Sequence, residues 1–211
     1  MSQEFIKRIL SSIILIPISF FFIVKGSFLF IFFMTVCFFI ISYEWHMMRK
    51  NKTKYYLGFL FLILSFFSIY QLRFSTNQDY FWLLIITTVC VATDVGGYIF
   101  GKIFKGPKLT KLSPNKTYSG MIGGFFLSLI FTSFSLNYFN KELTINWLFF
   151  VLLISSISQL GDIIISYFKR LSKIKDTGKI IPGHGGLLDR VDGMIFAFPF
   201  SYAIILTGTF N

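Results

Sequence analysis

Cysteine, histidine and acidic residues are scarce in this chain of 211 residues. It has 2 cysteines, 2 histidines and 9 acidic residues, against 20 lysines and arginines. Cys37 and Cys90 both fall inside apolar runs, so neither a disulfide framework nor a cysteine-based zinc cluster is expected. Charged residues make up only 14% of the chain, which is not the composition of a soluble globular domain.

Apolar residues dominate the composition. They account for 55% of the chain, which includes 30 phenylalanines. Seven apolar runs are candidates for membrane-spanning helices, and they cover residues 9–24, 27–43, 55–72, 80–101, 120–139, 146–168 and 192–210. The sequence therefore predicts an all-α integral membrane protein, a polytopic bundle of about seven transmembrane helices.

Lysine and arginine are distributed unevenly over the predicted loops. If the N-terminus is cytoplasmic, 17 of the 20 basic residues lie in cytoplasmic segments, and only Lys25, Arg73 and Lys141 lie outside. Because basic residues concentrate on the cytoplasmic side, this split predicts a cytoplasmic N-terminus. The net charge of +11 is then mainly a basic face set against anionic headgroups, so membrane lipids are expected partners and nucleic acid is not.

Two aspartates fall inside predicted spans. Asp94 and Asp162 each lie six or seven residues from the cytoplasmic end of a run, about 10 Å below the inner surface at a rise of ~1.5 Å per residue. Burying such a charge costs roughly 2.5 to 3.5 kcal/mol at the bilayer centre, so it needs a reason. The two aspartates are either hydrogen-bond acceptors that join helices or members of one site. Their equal depth below basic loops favours a shared site.

Residues 161–192 leave one apolar run, cross a basic loop and enter the last apolar run. Asp162, Ser166 and Lys169 are spaced i, i+4 and i+7, which places them on one face of a helix. This spacing predicts a polar stripe with a carboxylate in the apolar part and an amine at the end.

The loop that follows is rich in glycine and closes with two carboxylates. Asp189 and Asp192 are three residues apart, on one face of the first turn of the next helix. An acidic residue at a helix start can serve only to cap free amides. However, Gly183, Gly185 and Gly186 allow backbone N–H groups to approach a ligand, which favours a binding site.

Two blocks of residues have a recognisable spacing. The longer block consists of Ser166, Lys169, Arg170, Lys175, Asp176, Gly178, Pro182, His184, Gly185, Gly186, Asp189, Arg190 and Asp192. The shorter block consists of Ser113, Pro114, Asn115, Lys116, Thr117 and Gly120. Together they resemble the motifs of the phosphatidate cytidylyltransferases, and the likeness covers roughly residues 90 to 200.

This resemblance implies an integral membrane nucleotidyltransferase of phospholipid biosynthesis. Its substrates would be CTP and phosphatidic acid, and its products CDP-diacylglycerol and pyrophosphate. It implies a multi-pass protein of the cell (inner) membrane with the active site on the cytoplasmic side, and it leaves a homodimer open. Residues 1–80 would form three N-terminal transmembrane helices, and residues 81–211 the catalytic transmembrane region with its cytoplasmic loops.

The resemblance also implies roles for particular residues. The expected catalytic residues are Asp162, Asp189 and Lys169, and the expected metal ligands are Asp162, Asp189 and Asp192. Carboxylates without His or Cys neighbours suit Mg²⁺, as one ion or with a second cation roughly 3.5 to 4 Å away. The substrate-binding residues would be Ser113, Lys116, Thr117, Ser166, Arg170, Lys175, His184 and Arg190. The supporting residues would be Asp94, Asp176, Gly185 and Gly186.

Two other functions agree with part of the sequence. A cytidylyltransferase for another lipid phosphate would need the same phosphate chemistry, and no residue identifies the acyl chain. A polytopic ion or solute transporter would also carry intramembrane aspartates and helices broken by glycine. Against a transporter, the carboxylates cluster near one face of the membrane and the sequence has no visible inverted repeat.

Overall fold

The computed structural model describes residues 17–48, 52–74, 80–110, 113, 116–178, 180–181 and 185–208. Within these ranges the chain forms seven α-helices and no β-strand, which confirms the predicted all-α fold. The helices are residues 17–25 (α1), Ser27–Met47 (α2), Lys52–Phe74 (α3), Phe81–Phe104 (α4), Tyr118–Tyr138 (α5), Ile145–Leu171 (α6) and Leu188–Leu206 (α7).

Five of the described helices, α2 to α6, are long and apolar enough to cross a membrane. For example, the 21 residues of α5 extend about 31 Å, close to the hydrocarbon thickness of about 30 Å. Helix α7 overlaps the last predicted run, residues 192–210, but it begins and ends four residues earlier and has charged residues at Asp189, Arg190 and Asp192. It is not among these five helices. Half of the first predicted run, residues 9–16 of 9–24, lies outside the described residues. The orientation of the N-terminus and the division at residue 80 stay predictions.

The outer surface of the bundle is apolar, as a lipid-facing surface must be. Phe28, Phe134 and Tyr138 are 75%, 69% and 75% exposed, which would be unfavourable in water. Inside, one apolar cluster is centred on Trp82 and Trp147, whose stacked rings lie 5.4 Å apart. A second cluster links α2, α3, α6 and α7 near the basic loops, through Ile41, Trp45, Leu62, Ile165, Leu188 and Ile195.

Helices α4 and α5 pack backbone to backbone through glycine. A Cβ atom built on Gly120 would lie 2.6 Å from the carbonyl oxygen of Gly97, and one built on Gly124 would lie 3.0 Å from that of Thr93. The sequence spacing of Gly120 and Gly124 predicts such close packing, and the structure confirms it. This contact fixes the start of α5 beside the end of α4.

Candidate active site

The site begins where α6 and α7 approach each other through two glycines. A Cβ on Gly161 would lie 3.1 Å from the carbonyl oxygen of Asp192, and a Cβ on Gly193 would lie 2.7 Å from that of Ser158. Any side chain at these positions would push the helices apart. Because each glycine is next to an aspartate in sequence, the close approach brings Asp162 and Asp192 to one region between α6 and α7.

Three carboxylates from three helices interact in this region. Asp94 on α4, Asp162 on α6 and Asp192 on α7 lie within electrostatic range of one another. Asp192 is buried, and its Oδ1 accepts a hydrogen bond of 2.9 Å from the N–H of Gly193. The structure thus brings Asp94 and Asp162 together, as their predicted equal depth suggests.

Lys116, at the entry to α5, supplies positive charge to this group. Its Nζ forms an ion pair with Oδ2 of Asp162, and the two side chains are 23% and 27% exposed. Ser166, one turn along α6, donates a weak hydrogen bond of 3.4 Å to Oδ1 of Asp162. Thr117 has a structural contact instead, because its Oγ1 caps α5 by accepting from the N–H of Gly120 at 3.1 Å. The two sequence motifs therefore meet at Asp162.

Asp189 is surrounded by hydrogen-bond donors of the protein. Its Oδ1 accepts from Lys169 Nζ at 2.8 Å. Its Oδ2 accepts from the N–H and Oγ1 of Thr177 at 2.8 and 3.0 Å, and from the N–H of Gly186 at 2.9 Å. Both Lys169 and Asp189 have little exposed side-chain surface, at 11% and 4%. These contacts tie the loop, α6 and α7 together.

The donors around Asp189 also determine its ionisation. Asp189 lies in the first turn of α7, before the predicted apolar run at residues 192–210. Partial burial raises the pKa of the Asp189 carboxyl, but hydrogen bonds from Lys169, Gly186 and Thr177, with the Lys169 charge, hold that pKa below its ordinary value. Asp189 is therefore anionic at neutral pH.

The other predicted site residues are either exposed or contribute through their backbone. Ser113 contributes a carbonyl oxygen that accepts from the N–H of Lys116 at 3.0 Å. Gly185 adopts a left-handed φ of 84°, which favours glycine. Five members of the predicted set are exposed, namely Asp94, Arg170, Lys175, Asp176 and Arg190. His184 lies outside the described residues.

Glu44 on α2 is a member of this region that the motifs do not include. It is 1% exposed, and it accepts hydrogen bonds from the N–H groups of Leu187 and Leu188 at 2.9 and 2.8 Å. The sequence alone could have indicated Glu44, because it is the single acidic residue between positions 5 and 78. A lone carboxylate at the end of an apolar run requires partners elsewhere in the chain.

The carboxylates suit a hard divalent cation by their chemistry. Among the described residues, no group of three His, Cys, Asp or Glu side chains is arranged to hold one metal ion. Mg²⁺, however, is commonly bound by one or two carboxylates together with substrate phosphates. Asp162 and Asp192 provide two such carboxylates. The residues present are thus compatible with Mg²⁺ in the presence of a phosphate substrate.

The chain is similar to a family of known enzymes over most of its length. A sequence profile of the cytidylyltransferase family matches residues 6–78 and 55–207. A phosphatidate cytidylyltransferase of Rickettsia felis is 36% identical over 215 residues, covering 96% of this chain and 92% of that protein.

Two staphylococcal phosphatidate cytidylyltransferases are also similar. That of Staphylococcus aureus (strain COL) is 38% identical over 139 residues, which cover 64% of this chain and 52% of the relative. That of Staphylococcus haemolyticus is 43% identical over 129 residues, covering 60% and 50%. The chain thus spans about half the length of the staphylococcal relatives. Since the profile match extends over most of the sequence, the chain belongs to the cytidylyltransferase family.

Proposed function

We propose that the protein transfers the cytidylyl group of CTP to phosphatidic acid, forming CDP-diacylglycerol and pyrophosphate. The observation that carries this proposal is the ion pair between Lys116 and Asp162, because Asp162 also accepts a hydrogen bond from Ser166 and so brings residues of both motifs into one site. The names of the relatives, all phosphatidate cytidylyltransferases, support the same reaction.

The reaction needs charge neutralisation more than it needs a base. An oxygen of the lipid phosphate attacks the α-phosphorus of CTP and forms a new P–O bond. The bond from the α-phosphorus to the bridging oxygen breaks, and pyrophosphate leaves with the electron pair. Because the nucleophile is already anionic, the protein has mainly to hold two polyanions in line and offset their charge.

Lys116 is suited to bind a substrate phosphate. Its ion pair with Asp162 is partly exposed. A phosphate oxygen can therefore bind the Lys116 ammonium, either in place of the Asp162 carboxylate or together with it. Arg170, in the last turn of α6, and Lys175, in the loop that follows, are both exposed. Their positive charge would attract the triphosphate from solution. Lys169 is engaged with Asp189, and its main role would be to hold α6 and α7 together beside the reacting groups.

We further propose Mg²⁺ as the cofactor, held by Asp162 and Asp192 together with phosphate oxygens of the substrates. When bound, such an ion supplies neutralisation of phosphate charge. The role of Asp189 as a metal ligand stays a prediction. Its four hydrogen bonds to protein donors instead support a role in holding the loop against α7.

The membrane side of the site follows from the two substrates. CTP is soluble, whereas phosphatidic acid stays in the leaflet, so a site just below the interface allows both to meet. We propose that the loops before α5 and α7 face the cytoplasm at the cell (inner) membrane. The uneven distribution of lysine and arginine supports this orientation. The resemblance leaves a homodimer open, and the mass of the protein in detergent tests it.

The proposed reaction can be tested with purified protein in mixed micelles. We expect radiolabel from [α-³²P]CTP to enter a lipid product when phosphatidic acid and Mg²⁺ are present, with an equal amount of pyrophosphate released. Chelation of the metal should stop the transfer. A parallel reaction with a polyprenyl phosphate tests the alternative acceptor. Absence of labelled lipid with phosphatidic acid would refute the proposal.

A further inference from the structure

Glu44 is a buried carboxylate on a helix that carries neither of the two motifs. It lies near the end of α2, between residues of the apolar cluster such as Ile41 and Trp45. None of the ion pairs among the described residues involves it. A buried carboxylate without a cationic partner is costly unless hydrogen bonds satisfy it. The contacts that compensate Glu44 should therefore be important to the structure around it.

Those contacts are at the start of α7. Oε1 of Glu44 accepts from the N–H of Leu187 at 2.9 Å, and Oε2 accepts from the N–H of Leu188 at 2.8 Å. Leu187, the N-cap residue that precedes α7, forms no capping hydrogen bond with its own side chain. The first amides of a helix lack partners within it and carry partial positive charge. Glu44 thus caps α7 from a distant helix.

Two glycines of the longer motif make room for this carboxylate. A Cβ on Gly178 would lie 2.7 Å from Oε1 of Glu44, and a Cβ on Gly186 would lie 2.5 Å from Oε2. A side chain at either position would displace the carboxylate or the loop. In this structure, therefore, these glycines permit a close approach to a carboxylate of the protein itself.

Glu44 and Asp189 share a hydrogen-bond donor. The Oγ1 of Thr177 lies 3.0 Å from Oε2 of Glu44 and 3.0 Å from Oδ2 of Asp189. In addition, Asp189 accepts from the N–H groups of Thr177 and Gly186, and Gly186 directly precedes Leu187. The two carboxylates therefore both hold the segment of Thr177 and residues 186–188.

We infer that Glu44 is a positioning residue for the site: it fixes where α7 begins and so places Asp189 and Asp192 relative to Asp162. The kinetic part of this inference rests on the proposed function. The structural part is independent of the proposed function, because it concerns only the hydrogen bonds at the start of α7.

Glu44→Gln is the sharpest variant because it keeps the shape of the side chain. One of the two oxygens becomes an NH₂ group, which cannot accept from the Leu188 N–H or the Thr177 hydroxyl if it takes the place of Oε2. Whichever way the amide turns, at least one backbone N–H at the start of α7 loses its acceptor. The control is Phe30→Leu, a buried change on the same helix but in the other apolar cluster.

Residue-level hydrogen exchange tests the structural part. In Glu44→Gln we expect exchange to quicken about tenfold at the amides of Leu187 and Leu188, which bond to Glu44. We expect a comparable increase at the amides of Thr177 and Gly186, which bond to Asp189 instead. Phe30→Leu should leave all four unchanged. Faster exchange confined to Leu187 and Leu188, or at none of the four, would overturn the inference, because Glu44 would then be at most a local cap.

Kinetics test whether the position matters for transfer. At a temperature where both variants are folded, we expect Glu44→Gln to lower kcat between about tenfold and about 100-fold, as misplaced reacting groups do. Phe30→Leu should retain kcat. An unchanged kcat in Glu44→Gln would overturn the positioning role.

Two further outcomes remain informative. If the unmodified protein makes no lipid product, the proposed function fails, and exchange at Thr177 and Gly186 still decides whether Glu44 places Asp189. If Glu44→Gln does not fold, Glu44→Asp carries the same test. It keeps the charge but is one methylene shorter, so the same four amides should exchange faster by a smaller factor. Unchanged exchange at Thr177 and Gly186 in that variant would count against the inference.

Discussion

Lys169 on α6 and Asp189 at the start of α7 form an ion pair of 2.8 Å that is largely shielded from solvent. By contrast, the pair between Lys116 and Asp162 is partly exposed. Both aspartates lie in the stretch of residues 161–192. Asp189 accepts four hydrogen bonds from protein donors, whereas Asp162 has the ion pair with Lys116 and a weak hydrogen bond from Ser166. They should therefore respond differently to the same substitution.

Asp189→Asn should chiefly destabilise the fold. It leaves the Lys169 ammonium buried without a counter-charge, and loss of one partner of a buried pair costs about 3 kcal/mol or more. We therefore expect the variant in detergent to unfold at a lower denaturant concentration than the unmodified protein, as measured by helical circular dichroism. Asp176→Asn is the control, since Asp176 is an exposed carboxylate in the same loop. Equal stability of the two variants would contradict the prediction.

Asp162→Asn should chiefly reduce catalysis. The neutral amide keeps the shape but removes a charge that a Mg²⁺ ion would need, so we expect kcat/KM to fall about 100-fold, equivalent to about 2.7 kcal/mol. Since Asp162 is partly exposed, stability should change little. Ser166→Ala, which removes only a 3.4 Å hydrogen bond to Asp162, should have a much smaller effect. Near-normal turnover by Asp162→Asn would exclude its role as a ligand.

Lys116→Ala should impair the use of CTP while the protein stays folded. Removing the ammonium leaves Asp162 and the substrate phosphates without a shared counter-charge, so we expect a higher KM for CTP or a lower kcat, by about tenfold or more. Lys108→Ala is the matched control, because Lys108 is an exposed lysine of the same loop. If the two variants had the same kinetics, Lys116 would have no role in binding.

Adjacent glycines of α4 should tolerate alanine differently. A Cβ on Gly96 would lie 2.8 Å from the carbonyl carbon of Gly123, so Gly96→Ala must separate α4 from α5 and should cost about 1 to 3 kcal/mol. A Cβ on Gly97 would lie 3.8 Å from its nearest neighbour, the carbonyl oxygen of Gly120. Gly97→Ala should therefore be neutral or gain up to about 1 kcal/mol from helix propensity. The free energy of unfolding of each variant is measured in detergent. Equal losses of stability in the two variants would refute the packing argument.

Cysteine labelling can test the orientation. Lys108 and Glu142 are exposed residues in the loops before and after α5, which is about 31 Å long. In a background with Cys37 and Cys90 replaced by alanine, an impermeant reagent should label Glu142→Cys in intact cells. It should label Lys108→Cys only after the membrane is opened. The reverse pattern would show the opposite orientation. Labelling of both positions from one side would show that α5 does not cross the membrane.

Much of the fold could be read from hydropathy and glycine spacing. The apolar runs locate the described helices, because a segment in lipid must satisfy its own backbone hydrogen bonds. The predicted run at 120–139 and helix α5, Tyr118–Tyr138, differ by two residues or fewer at either end. Helix ends are less predictable, since they depend on caps such as Thr117 and on groups from elsewhere in the chain.

The sequence by itself determined that the protein is an all-α membrane protein and which polar residues lie on one helix, because helical periodicity is a local property. Spacing alone places Asp162, Ser166 and Lys169 on one face of α6. The tertiary structure decided how the carboxylates differ. Asp189 receives its hydrogen bonds from residues 3 to 20 positions away, and Glu44 caps a helix start up to 144 positions away. Such partners depend on how the helices pack, which no local pattern in the chain records.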